Sequence, residues 1–330
     1  MIDNLDIKHS YQEPIIIDNE SVFPGESGLI RMNVGRLPSD TKIDIVAHIF
    51  RSKNPGPCVL LLGGVHGDEI NGVEIVRKSI EEEIFANLDR GSVIAIPLLN
   101  VFGFINFSRE VPDGKDVNRS FPGSSRGSLA SRVANTLTKK ILPYIDIALD
   151  FHTGGASRFN FPQIRYSRVD KVAEELAIVF GTRFIIQKPV IPKSFRKTAR
   201  INKIPTLVFE GGESVRLDGH AISVGLQGLK RVFAHLEMTH QPTFNNNTQS
   251  LIIKKTTWLR SPYSGIFIWS KCSGNFVKKG EPLGVLKDAY GNKSITISAT
   301  KEGYIIGHSN ASVVNQGDAL FHIGYEITKV

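Results

Sequence analysis

Four short runs of mostly apolar residues constrain this chain most: CVLLLGG (58–64), SVIAIPLLN (92–100), YIDIALDFHTGG (144–155) and IPTLVFEGG (204–212). A strand that is apolar on both faces has to be covered on both faces. Segments with helical spacing separate or follow the runs: NGVEIVRKSIEEEIF (71–85), SLASRVANTLTKKIL (128–142), KVAEELAIVFG (171–181) and residues 219–237. In the first, Val73, Val76, Ile80 and Ile84 share a face, and Gly181 is placed to cap the third. Buried strands alternating with helices predict an α/β fold, with a mixed, mostly parallel sheet flanked by helices. In such sheets, sites form at the carboxyl ends of the strands. Here those ends carry His66, Asn100, His152 and Glu210.

The flanking regions read differently. Residues 15–50 alternate apolar and polar positions, which predicts an N-terminal segment of antiparallel strands. QPTFNNNTQS (241–250) is polar and turn-rich and reads as a linker. It divides the chain into a catalytic α/β domain over 1–245 and a C-terminal all-β domain over 246–330. Within the latter, GIFIWSKCSGNFVKKGEPL (265–283) and GYIIGHSNASVVNQGDAL (303–320) share the pattern Val-x-x-Gly-[Glu/Asp]-x-Leu. Two similar halves of short strands predict a small pseudo-symmetric barrel sandwich. It resembles the biotinyl/lipoyl type, although Lys293 in Gly-Asn-Lys-Ser lacks the usual setting of a carrier lysine. A structural or assembly role is the expectation for this domain.

Charge and cysteine content narrow the function classes. Lys+Arg 40 against Asp+Glu 32 leaves a formal +8, which raises nucleic acid, an anionic membrane surface and an acidic substrate as partners. The densest basic stretch, KPVIPKSFRKTAR (188–200), has no accompanying nucleic-acid motif and reads as a solvated basic face or loop. No apolar run approaches the ~20 residues of a membrane span. The first residues, MIDNLDIKHSYQEP, show no apolar signal region, and Cys58 and Cys272 form no disulfide framework. These features predict a cytoplasmic protein that binds neither nucleic acid nor membrane, and they leave room for a homo-oligomer.

The chemistry sits in four motifs. GGVHGDE (63–69) places His66 and Glu69 three residues apart after a buried strand, and DFHTGG (150–155) offers His152 at another strand end. Two imidazoles and one carboxylate suit Zn²⁺, and a catalytic zinc site has three protein ligands and an open position. An HxxE pair alone is common by chance; the strand end, the flanking glycines and the second histidine distinguish this one. In DVNRSFPG (116–123), Asn118 and Arg119 form a carboxylate-binding pair, since guanidinium holds a carboxylate through a bidentate fork. Arg109 is a second cation that can stabilise an oxyanion, or else a surface ion pair. In VFEGGES (208–214), Glu210 ends the apolar run and is the candidate general base. Glu213 is its rival and is expected in the following loop, solvated or capping.

Together the four motifs, in this order, resemble the succinylglutamate desuccinylase/aspartoacylase family of the zinc carboxypeptidase-like superfamily, over about residues 40–240. The resemblance implies one zinc ion per chain on His66, Glu69 and His152, and water activation by Glu210. It also implies that Asn118 and Arg119 hold the substrate carboxylate, that Arg109 stabilises the scissile carbonyl oxygen, and that Asp150 orients a metal-bound imidazole. The implied reaction is hydrolysis of a small, anionic N-acyl amino acid, N-acetyl or N-succinyl, to a carboxylate and a free amine. Two other readings stand beside it: a zinc carboxypeptidase acting on peptides, and a non-catalytic binding protein.

Overall fold

The computed structural model describes residue 7 and residues 11–240 and 249–330. The chain opens with a hairpin, β1 (Ile15–Ile17) and β2 (Glu20–Val22), then β3 (Ser27–Arg36) and β4 (Lys42–Arg51). Next come β5 (Cys58–Gly63), α1 (Ile70–Glu81), β6 (Ser92–Ile96), α2 (Val101–Ile105), α3 (Leu129–Thr136) and β7 (Ile147–Gly154). They are followed by β8 (Arg158–Tyr166), α4 (Lys171–Phe180), β9 (Phe184–Gln187), α5 (Phe195–Ile201), β10 (Thr206–Glu213) and α6 (Gly219–His235). The remainder is β11 (Leu251–Arg260), β12 (Gly265–Trp269), β13 (Phe276–Val277), β14 (Pro282–Lys287), β15 (Ser294–Ser298), β16 (Gly303–Ser309), β17 (Val313–Val314) and β18 (Ala319–Lys329). The linker expected at 241–250 lies, apart from 249–250, outside the described residues.

One sheet of twelve strands runs β13-β16-β18-β11-β9-β8-β10-β7-β5-β6-β4-β3. Strands β6, β5, β7 and β10 are parallel neighbours, as are β8, β9 and β11. Elsewhere the neighbours are antiparallel: β3 with β4, β4 with β6, β8 with β10, and the strands after β11. The sheet is therefore mixed, with its parallel part confined to the centre, rather than mostly parallel. The expectation fails because β3 and β4 form a hairpin, β8 runs against β10, and the strands after β11 pair antiparallel with one another.

The apolar runs are explained by two cores. Leu60, Leu62, Ile94 and Ile96 face one of them, with α3 and Phe195. Val59, Leu61, Val93 and Ala95 face the other, with α1, α4 and α6. Alternate residues of one strand thus enter opposite layers, and each fully buried large side chain contributes about 1.5–3 kcal/mol. Of the predicted face, Val76 and Ile84 enter the second core and Ile80 packs half-buried against it, Val73 is half-buried, and helix α1 also buries Gly72, Ile75 and Ser79. Close approach turns the helix this way: a Cβ on Gly72 would lie 2.2 Å from the Phe151 carbonyl oxygen.

The two C-terminal repeats each fold as strand, two-residue strand, strand. They exchange partners: β12 pairs with β17, and β16 with β13. The shared acidic position has one role in both, since Glu281 accepts from the Lys278 N–H and Asp318 from the Asn315 N–H. Lys293 sits between β14 and β15 with its ammonium 3.9 Å from the Tyr263 ring centre. Strand β16 also pairs with β8, so β8, β9, β11, β18 and β16 close into a ring. Phe184, Ile186, Leu251, Ile253 and Ile306 fill it. The C-terminal strands therefore stand directly beside the strands that carry the candidate site.

Candidate active site

The sequence-predicted residues gather at the carboxyl ends of β5, β7 and β10, around a cleft of about 240 Å³. The turn from β5 into α1 carries His66 and Glu69. It can be this tight because Gly67 has no side chain, since a Cβ there would lie 2.0 Å from the Gly103 carbonyl carbon. His152 on β7 is the register neighbour of Glu210 on β10.

His66 Nδ1 lies 2.7 Å from Glu69 Oε1, and His152 Nδ1 lies 2.8 Å from Glu69 Oε2. The two Nδ1 atoms are 3.3 Å apart, all three side chains are buried, and their ligand atoms lie within 4.8 Å of one another. Glu69 is fixed further by the Thr153 N–H at 3.1 Å. Asp150, 1% exposed, sits 2.9 Å from His152 Nε2. A carboxylate there places the ring proton on Nε2 and turns the Nδ1 lone pair inward. His66 Nε2 has no hydrogen-bond partner and lies 3.4 Å from Asp116. Burial alone would push both imidazoles toward neutrality, but Glu69 and Asp116 around His66, and Asp150 and Glu69 around His152, outweigh it and hold both pKa values up. Burial likewise opposes ionisation of Glu69, yet the two histidines hold it well below the ordinary range. Two inward imidazole nitrogens and a carboxylate in a field this negative fit a divalent cation such as Zn²⁺.

The other residues surround this cluster. Arg109 binds Asp116 through Nε and Nη2, at 3.1 and 2.9 Å, while its Nη1 lies 3.2 Å from His66 Nδ1. Asn100 steadies it by capping α2 and donating to the Arg109 carbonyl at 3.2 Å. Asn118 accepts from the Phe195 N–H at 2.9 Å, and Arg119 is exposed along the cleft wall. Glu210 accepts from Arg165 at 2.7 Å and from Asn160 at 2.8 Å. Glu213 is no loop residue; it ends β10, is buried, and accepts from Asn310 at 2.6 Å outside the cleft lining.

Four participants escaped the sequence reading. Asp116 links Arg109 to His66 and caps the turn carrying Asn118, whose N–H it accepts at 2.6 Å. Partial burial would raise the pKa of its carboxyl, yet His66 and Arg109 hold it well below the usual range. Asn160 and Arg165 lie on β8, a strand with no unbroken apolar run to announce it. Arg196 belongs to the stretch expected as solvated loop. That stretch folds in part as α5, capped by Ser194, with Phe195 and Ala199 in the core and Arg196 turned to the cleft. The Ser-x-x-Lys start followed by helix-favouring residues was the available signal; the prolines at 189 and 192 obscured it.

A sequence profile of the succinylglutamate desuccinylase/aspartoacylase catalytic domain matches residues 55–236. The N-alpha-acetyl-L-2,4-diaminobutyric acid deacetylase of Halomonas elongata is 26% identical over 285 residues, 81% of this chain and 82% of that protein. A succinylglutamate desuccinylase/aspartoacylase crystal structure from Rhodobacter sphaeroides superposes with a TM-score of 0.82 at 24% identity, covering 94% of this chain and 98% of that one. The product-bound ectoine utilization protein EutE (DoeB) of Ruegeria pomeroyi gives 0.82 at 21% identity, with the same coverage. These two structures share the fold.

Proposed function

Because this chain belongs to the succinylglutamate desuccinylase/aspartoacylase family, we propose that it hydrolyses the amide bond of a small N-acyl amino acid, with one zinc ion held by His66, Glu69 and His152. The observation that carries the reading is the inward turn of two Nδ1 atoms onto one buried carboxylate, with Glu210 on the neighbouring strand. A zinc ion there would polarise the scissile carbonyl and lower the pKa of the attacking water.

The chain's own residues supply the rest. Asn118 and Arg119 hold the α-carboxylate and set the amide in the cleft. Arg109, kept in place by Asp116, meets the negative charge that develops on the carbonyl oxygen. Glu210 takes the proton from the attacking water and returns it to the leaving nitrogen, so amide plus water yields a carboxylate and a free amine. Asn160 and Arg165 each occupy one lone pair of Glu210 and leave others facing the cleft. Residues 1–245 then serve as the catalytic domain, and 246–330 as a β-domain that contributes Trp258 to the cleft wall. Among the described residues no helix is long and apolar enough to cross a membrane. We place the reaction in the cytoplasm, which suits the free cysteines Cys58 and Cys272.

The test is a turnover screen of zinc-loaded protein over N-acetyl and N-succinyl amino acids beside a panel of short peptides. Release of amine from the N-acyl amino acids alone is the expected result. Turnover confined to peptides would make the chain a carboxypeptidase, and a chain that takes up no zinc and turns over neither class would be a binding protein.

A further inference from the structure

Helix α6 carries a second stripe beside its core face. Ile222, Leu226, Leu229 and Phe233 enter the core, while His220, Val224, Gln227 and Arg231 recur at helical spacing on another face. With Phe161 of β8 and Arg183, which directly precedes β9, they line a groove of about 190 Å³. The groove shares no lining residue with the catalytic cleft. Gly228 lets α6 approach the end of α4, since a Cβ there would lie 2.0 Å from Phe180 Cε1. Arg231 thereby reaches the Phe180 carbonyl, an orphan acceptor of the helix end, to which its Nε and Nη2 donate at 3.0 and 2.6 Å. Its Nη1 has no partner among the described residues, and burial lowers its pKa with no carboxylate to oppose the shift. The Arg183 guanidinium lies 5.4 and 5.1 Å from the ring centres of Phe184 and Tyr304, which hold it in place. It forms no ion pair among the described residues, and no acidic side chain lines the groove. Two half-buried guanidiniums without a counter-charge favour an anion. The remaining wall is apolar: the Phe161 ring packs at 5.2 Å on Phe184 and meets the edge of His220 at 6.1 Å, beside Val224. A cavity of about 150 Å³ takes up benzene, so this groove has room for one ring and one acidic group.

We propose that this groove is a second binding site, for a small aromatic carboxylate that is not the substrate of the cleft. The ring lies against Phe161 and Val224, and the carboxylate takes the donors that Arg183 and Arg231 leave free. The site goes beyond the proposed hydrolase function and stands or falls without it.

Fluorine NMR of 4-fluorobenzoate tests this on the full chain as purified, with benzoate, benzamide and acetate as competitors. Benzoate should displace the probe about tenfold or more better than benzamide, which lacks the charge, and than acetate, which lacks the ring. Gln227→Glu, at an exposed position one turn before Arg231, supplies the missing carboxylate as a helical neighbour. It should abolish probe binding while the melting temperature holds or rises. Arg183→Gln should weaken binding about tenfold or more, and Arg119→Met, in the cleft, should leave it unchanged. Binding that survives both Gln227→Glu and Arg183→Gln, or that is lost in Arg119→Met, would put the anion in the catalytic cleft and overturn the second site. Benzamide or acetate displacing the probe as well as benzoate does, or no saturable binding of the probe at millimolar concentration, would overturn it too.

Discussion

Asp150→Asn tests the metal cluster through a residue that does not touch the metal position. The substitution keeps the shape of a side chain 1% exposed and removes one charge 2.9 Å from His152 Nε2. The amide has two ways to meet the ring. If its oxygen accepts from Nε2–H, the tautomer survives and only the charge is lost. If its NH₂ donates, the ring proton moves to Nδ1, the atom facing Glu69 at 2.8 Å, and that lone pair is no longer available. Removing a group that orients a metal-binding histidine typically costs 10–100-fold in affinity, about 1.4–2.7 kcal/mol; the first arrangement predicts the lower end and the second the upper. Competition against a chromophoric chelator measures zinc affinity directly. A melt of the metal-free protein, expected to shift by only a few degrees, controls for folding. Zinc affinity within twofold of wild type would refute the claim that Asp150 fixes the His152 tautomer for a metal.

Three further outcomes follow from the geometry. Glu210→Gln keeps the side-chain shape and one acceptor oxygen for Arg165, gives up the acceptor that faces Asn160, and removes the base; turnover should fall about 10²–10⁴-fold with zinc stoichiometry unchanged, by parallel kinetics and metal analysis. Gly67→Ala drives a Cβ against the backbone of Gly103 and Phe104, at 2.0 and 2.1 Å; urea unfolding should show a loss of about 3 kcal/mol, with weakened metal binding because His66 and Glu69 flank the position. His308 is buried, accepts from Ser273 Oγ at 2.6 Å, and burial pushes its pKa down to about 4. A base depressed on folding binds fewer protons folded than unfolded, so its stabilisation is complete above about pH 6.5 and is lost as pH falls toward 4. The loss is about 3 kcal/mol for such a shift; His308→Gln should flatten that part of the stability–pH curve relative to wild type.

The cores and the cluster of His66, Glu69 and His152 were legible in the sequence because each leaves a local trace. Alternate residues of CVLLL enter opposite cores, so the run carries no polar gap. His66 and Glu69 are separated by a single helical entry, and His152 ends another buried strand. Long-range pairing leaves no such trace. Nothing local to Arg165 shows that β8 lies beside β10, and nothing in the basic stretch shows that Arg196 turns inward while Arg200 faces solvent. The mixed sheet escaped for the same reason: β16 meets β8 across nearly 150 residues of chain. Arg196, read as surface, becomes cleft wall once α5 packs Phe195 into the core.

The central claim is that a metal on His66, Glu69 and His152 drives hydrolysis of N-acyl amino acids. It is tested most directly by amine release from N-acetyl and N-succinyl amino acids with the purified chain, before chelation, after it, and after zinc is restored. The account predicts turnover, its loss on chelation and its return with one zinc per chain. Turnover unchanged by complete removal of metal, or none from fully zinc-loaded protein, would contradict it.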